Sequence, residues 1–267
     1  MIKVVHFQFM NDSRVADALI DSKRPFLASL VPNLLDKEMK TEEGEDIYKR
    51  IHPHDNYYPD WAIDFFRENA GNLNITWIQE GYRHCCGRCF NKFEENGGRE
   101  KWTWPDPFHE HICLNGKTQN LKTQIEVIKK GRNLLKEKLG VVSEGYCPPN
   151  HLYNRDTERA VSENRMSYFL IRNKIGIPIY RKISKDYKMV VVPEAKEGET
   201  FYEKSRVVYT YFDSLTPEKV RHFLNNARYF ADGQEVIEPL FRSRLNHTVV
   251  NFGKRMRDWK GRFDHKK

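Results

Sequence analysis

Short apolar, β-branched segments alternate with amphipathic ones along most of this chain, and that alternation limits its fold more than any other feature. Residues 2–10 read as a buried strand, closed by the polar run Asn11-Asp12-Ser13-Arg14 and followed by a helix over 14–20. Residues 25–31 and 73–78 read as further strands. Between them a helix over 59–70 carries Trp61, Ile63, Phe65 and Phe66 on its apolar face. Leu121, Ile125, Ile128, Leu135 and Leu139 recur at helical spacings, and Gly140 stands where a left-handed cap ends a helix. Residues 156–164 predict a short helix, and residues 166–171, 175–180, 189–192 and 207–212 predict strands. Thr216-Pro217-Glu218 supplies an N-cap, a first-turn proline and an acid for a last helix carrying Val220, Phe223, Leu224 and Ala227.

A parallel neighbour is reached only through a crossover, so alternating strands and helices predict an α/β fold with a parallel sheet or a β/α barrel. No internal repeat or composition break divides the 267 residues. This suits a single barrel domain over residues 1–253. Residues 87–117 fall outside the alternation, forming a long irregular segment with Trp102, Trp104 and two prolines. Such a loop in a compact domain is commonly a lid or a site wall.

Lysine and arginine number 45 against 37 aspartates and glutamates. The excess invites a nucleic-acid reading, but its location argues against one. Residues 254–267 hold seven basic and two acidic side chains, so most of the excess lies in a basic C-terminal tail. No apolar run approaches the roughly 18 residues of a membrane helix. The short apolar start lacks a cleavage-site pattern, so a cytoplasmic protein without a membrane partner is expected.

Ligands of parallel α/β folds bind at the carboxyl ends of the strands. Three polar clusters lie just past strand candidates. Asn11-Asp12 follows the first strand, where Asp12 also suits a helix cap. Glu80-Gly81-Tyr82-Arg83-His84 follows the third, and Glu80 and His84 are spaced to share a metal ion. Gly145-Tyr146-Cys147-Pro148-Pro149-Asn150-His151-Leu152-Tyr153-Asn154 is the last, stiffened by its proline pair.

In that order the clusters resemble the motifs of the polysaccharide deacetylase superfamily, the NodB-homology carbohydrate esterases. The resemblance runs from Ile2 to about Leu224 and is strongest over residues 124–169, where a helix leads to the proline pair and an aromatic strand at Tyr168-Phe169. Phe9-Met10-Asn11-Asp12 is similar to the family's Phe-Asp-Asp motif, and Glu80-Gly81-Tyr82-Arg83-His84 to its His-Gly-x-x-His motif. The resemblance implies a distorted parallel β/α barrel of about seven strands. It also implies a divalent metal, zinc foremost, on Asp12, Glu80 and His84. The activity implied is hydrolysis of an N-acetyl group on a carbohydrate. Asp12, Glu80 and His151 are then the candidate catalytic groups, and Pro148, Pro149, Tyr153 and Trp102 the candidate substrate contacts. Tyr57, Tyr58 and Trp104 are further sugar-stacking candidates.

Three motif positions depart from the family together. Asn11 replaces the catalytic-base aspartate, and an amide cannot take a proton from water. Glu80 replaces a histidine ligand, and Cys147 replaces an arginine. These departures leave two readings: an enzyme with substituted groups, or an inactive homologue that binds carbohydrate or regulates.

Five cysteines without a secretion signal read as reduced thiols. Cys86, Cys89, His111 and Cys113 have spacing that can hold a structural zinc and pin the long loop. Ordinary unligated cysteines, or a Cys86–Cys89 redox pair, are the alternatives.

Overall fold

The structure, a computed structural model, describes residues 2–35, 57–82, 110–112, 118–172, 179–184, 187–197, 207–225 and 227. Eight strands and five α-helices are found among these residues, alternating except for four successive strands near the end. In chain order they are β1 (Ile2–Phe7), α1 (Ser13–Asp21), β2 (Phe26–Leu30), α2 (Asp60–Glu68), β3 (Ile75–Glu80) and α3 (Leu121–Leu139). Then follow β4 (Gly145–Cys147), α4 (Arg155–Glu163), β5 (Tyr168–Arg172), β6 (Ile179–Ser184), β7 (Tyr187–Lys196), β8 (Val207–Tyr211) and α5 (Pro217–Leu224).

Seven strands close into a ring of parallel pairs. β1 pairs with β2, β2 with β3, β3 with β4, β4 with β5, β5 with β7, β7 with β8, and β8 returns to β1. The expected distorted parallel β/α barrel is therefore the observed fold. Two irregularities distort it. β6 pairs antiparallel with β7 outside the ring, and β7 meets β8 through only Ala195↔Val208 and Lys196↔Tyr209.

Strand alternation sorts the side chains into two layers. Ile2, Val4, Leu27, Ile78, Cys147, Leu170, Val207 and Tyr209 pack together inside the barrel. The opposite parity carries Val5, Phe7, Phe26, Ala28, Leu30, Ile75 and Trp77 outward against α1, α2 and α5. Tyr146, Phe169, Ile171, Met189 and Val191 pack against α3 and α4. β1 is buried at all six positions, as a strand covered on both faces must be. Gly145 permits the tight approach of β3 and β5 to β4: a Cβ there would lie 2.7 Å from both Ile78 Cδ1 and Tyr168 Cβ.

Local signals set the helix ends. Asp12, Asn120, Asn154 and Thr216 each accept a backbone N–H at the start of a helix, and Asn154 forms a capping box with Thr157. Gly140 ends α3 at φ 73°, as its position predicts. Among the described residues no helix is long and apolar enough to cross a membrane. The tail 254–267 lies outside the described residues.

Candidate active site at the mouth of the barrel

The inward parity of the strands ends in a ring of polar side chains. His6 follows Ile2 and Val4 on β1, and Ser29 follows Leu27 on β2. Glu80 follows Ile78 on β3, Cys147 closes β4, Glu194 lies near the end of β7, and Tyr209 and Tyr211 lie on β8. These are the carboxyl ends of parallel strands, where a barrel carries its chemistry.

His6 joins two carboxylates. Its Nδ1–H donates to Glu80 Oε2 at 2.9 Å, and its Nε2–H donates to Glu194 Oε1 at 3.2 Å. Burial pulls the imidazole down, but Glu80 and Glu194 together outweigh it and push His6 up to about 10. With its pKa raised so far, His6 is a doubly protonated imidazolium at neutral pH and can donate from both nitrogens. Glu80 also accepts from Gln8 Nε2 at 2.7 Å and from Ser29 Oγ at 3.2 Å. These donors hold its charge in a place nearly sealed from water.

Glu194 is fully buried. Its Oε1 faces His6, and it lies 3.4 Å from Nε2 of His151. Its Oε2 has no hydrogen-bond partner among the described residues. A carboxylate oxygen in that state is costly unless something else uses it.

His151 reaches the cluster from the turn after β4. Asn150 and His151 both adopt left-handed backbone, φ 51° and 53°, which is strained for non-glycine residues. This turn aims the imidazole back at the barrel, with Nδ1 3.9 Å from the Cys147 thiol. Burial lowers His151, and Glu194 only partly opposes it, so the ring is neutral beside the His6 cation. Burial, then Glu80 and Glu194, raise the Cys147 thiol well above its ordinary range. Two overlapping groups of donors result, His6–Glu80–Cys147 and Cys147–His151–Glu194, each with its donor atoms within 4.8 Å of one another.

The structure distributes the sequence candidates unevenly. Glu80 and His151 both belong to this cluster. Asp12 caps α1, accepting from the Arg14 backbone at 3.0 Å and pairing with its guanidinium at 2.7 Å. Neither donor group contains it. His84, Trp102, Trp104, Cys86, Cys89 and Cys113 lie outside the described residues. His111 is described, and both its ring nitrogens are engaged, Nδ1 with Gln119 at 3.1 Å and Nε2 with the Tyr146 hydroxyl.

Pro149 packs over Gly81, where φ is 57° and a Cβ would collide with the proline ring. This contact couples the turn after β3 to the one after β4, beside Pro148. Tyr153 stacks edge-on against Phe169 in the outer layer, with centroids 5.0 Å apart. Tyr58 is a core residue, 1% exposed, so it presents no stacking face. Its hydroxyl donates to the Phe7 carbonyl at 2.5 Å and accepts from the Val31 N–H at 3.0 Å.

His6 and Glu194 are members of this cluster that sequence reasoning missed. The available signal was parity: a histidine at an inward position of an otherwise apolar strand, and a lone acid in Val190-Val191-Val192-Pro193-Glu194.

Solved structures similar to this chain include the deacetylase domain of BpsB from Bordetella bronchiseptica, at 14% identity, 78% of this chain, 71% of that chain and a TM-score of 0.46. A family 4 carbohydrate esterase from Streptomyces lividans in complex with acetate matches at 6% identity, 89% and 90% coverage and a TM-score of 0.45. A 4-alpha-glucanotransferase from Thermococcus litoralis matches at 10% identity and a TM-score of 0.47, covering 92% of this chain but only 40% of that one. Polysaccharide deacetylases, whose motifs the sequence resembles, thus stand among its structural neighbours. No curated protein matches. The family model that matches is a glycosidase one, glycosyl hydrolase family 57, over residues 36–243. That match spans well over half of the sequence, and the chain belongs to glycosyl hydrolase family 57.

Proposed function

We propose that this protein cleaves a glycosidic bond in a carbohydrate, using Glu80 and Glu194 as its carboxylate pair. The observation that carries the reading is the placement of both acids on one buried imidazolium, His6, at the carboxyl ends of the strands. Glycosidic cleavage uses two carboxyl groups with different tasks. Glu80, held charged by His6, Gln8 and Ser29, suits the stabilisation of positive charge growing at the anomeric carbon. Glu194, with Oε2 unpartnered, suits proton transfer. As the anomeric C–O bond breaks, the leaving oxygen takes a proton that Glu194 relays from the His6 imidazolium; water then adds to the anomeric carbon, and its proton returns through Glu194 to His6.

The test is release of reducing ends from a panel of oligosaccharides, with chelator present. Release that is abolished by both Glu80→Gln and Glu194→Gln supports the assignment. Release unchanged in either variant overturns it.

A second reading follows from the donor groups at the same mouth. Here the protein is a zinc-dependent deacetylase of an N-acetylated sugar. Nitrogen, sulfur and oxygen donors within 4.8 Å of one another favour it, since they suit zinc. A bound ion would polarise the amide carbonyl. Acetate release that chelator stops and zinc restores distinguishes this reading from the first. Sugar binding without any release would mark a non-catalytic homologue.

A further inference from the structure

We propose that Cys147, His151 and Glu194 form a binding site for a thiophilic divalent cation of the zinc class. The three come from separate elements: the last inward residue of β4, the strained turn behind it, and β7 across the barrel. One donor atom from each lies within 4.8 Å of the other two. His151 brings one ring nitrogen to 3.9 Å from the thiol and the other to 3.4 Å from the carboxylate. A tetrahedral ion with bonds of about 2.0–2.3 Å sets its ligands roughly 3.3–3.8 Å apart, so one His151 nitrogen, the thiol and a Glu194 oxygen, within 4.8 Å of one another, complete the site by closing up to about 1 Å.

Two further observations point to a ligand. Glu194 is wholly buried, yet its Oε2 has no partner among the described residues, and an ion is what such an oxygen lacks. The left-handed backbone at Asn150 and His151 is strain retained where it aims an imidazole at a thiol and an acid. One thiolate and one carboxylate also cancel a divalent charge, so the filled site is neutral in surroundings that exclude water. Binding takes the thiol proton, which leaves to solvent. His151, whose side chain is 12% exposed, marks the side where a fourth ligand enters.

This set differs from the Asp12–Glu80–His84 triad that the sequence resemblance implied, and the site needs no sugar to be filled. It rests on the proposed function in one respect: Glu194 belongs to both, so an ion on Oε2 takes the oxygen that would pass a proton to the sugar.

Cobalt(II) tests the site without any substrate. Titrated into the metal-free, reduced protein, it should produce a thiolate-to-cobalt charge-transfer band saturating at one equivalent. The band should persist in a variant with Cys85, Cys86, Cys89 and Cys113 all changed to serine, and disappear in Cys147→Ser. His151→Ala should weaken binding roughly tenfold or more. No band in the parent protein, or a band kept in Cys147→Ser and lost in the four-serine variant, overturns the proposal. X-ray absorption of the zinc-loaded four-serine variant gives a readout that does not depend on how Cys147→Ser folds. One sulfur neighbour supports the site, and a shell of nitrogen and oxygen alone refutes it.

Discussion

His6 and Glu80 lie 74 positions apart in the chain and 2.9 Å apart in the barrel. Only their strands' shared inward parity and the β1–β2–β3 pairing bring them together. The contact makes stability depend on pH. His6 is raised from 6.5 to about 10 in the folded state, so its contribution is complete below about 6.5 and is lost as pH rises through about 10. With chelator present, the melting temperature should fall across that window. His6→Gln should flatten the slope. An unchanged slope in the variant would mean that another group governs it.

Removing the Glu194 carboxylate should stop the proposed chemistry and, because it leaves the buried His6 imidazolium with one acid, lower the melting temperature while the protein still folds. Glu194→Gln should lower the glycosidic rate by about 10²–10⁴-fold, the usual scale for a lost acid or base. Circular dichroism and reducing-end release, measured on the same preparation, check both parts.

Zinc should act oppositely on the two proposed reactions. If Glu194 is shared, saturating zinc suppresses glycosidic cleavage, and chelator restores it. Stimulation of glycosidic cleavage by zinc would contradict that sharing.

Asp12→Ala should remove the cap of α1 and the Arg14 pair, giving a modest loss of melting temperature. The cobalt band should survive, since Asp12 lies outside the proposed ligand set. Loss of the band would return Asp12 to the metal site.

Tyr58→Phe should cost about 1–3 kcal/mol in urea unfolding, because two buried backbone groups, the Phe7 carbonyl and the Val31 N–H, lose their partner. Gly131→Ala should cost a similar ~1–3 kcal/mol by overpacking. Its new methyl meets the Gln79 amide, which donates to the Gly81 carbonyl at 2.7 Å, one residue beyond Glu80.

The barrel was legible in the sequence because strands buried on both faces are apolar throughout and helices keep their stripe. Strand ends were less legible, and the site depends on them. β3 extends to Glu80 rather than stopping at Ile78, and β7 runs through Lys196 rather than ending at Val192. Both acids therefore sit on strand ends rather than in loops. Motif resemblance singled out Glu80 and His151 because each lies in a compact polar cluster. It passed over His6 and Glu194 because nothing in local spacing reports a pairing across 188 positions. Asp12 carried two readings in the sequence, and the structure shows it in the nearer one, holding its own helix.

The short seam between β7 and β8 has a mechanical consequence. A cylinder is as stiff as its weakest joins, and here those of β7 to β8 and of β4 to β5 each have two paired positions, against five between β1 and β8 and five between β2 and β3. Glu194 rides on β7 one residue before the β7–β8 join, while His6 and Glu80 are carried by the well-fastened arc. Opening at these two joins would carry Glu194 with β5 and β7, to which it is fastened, and leave Glu80 beside His6.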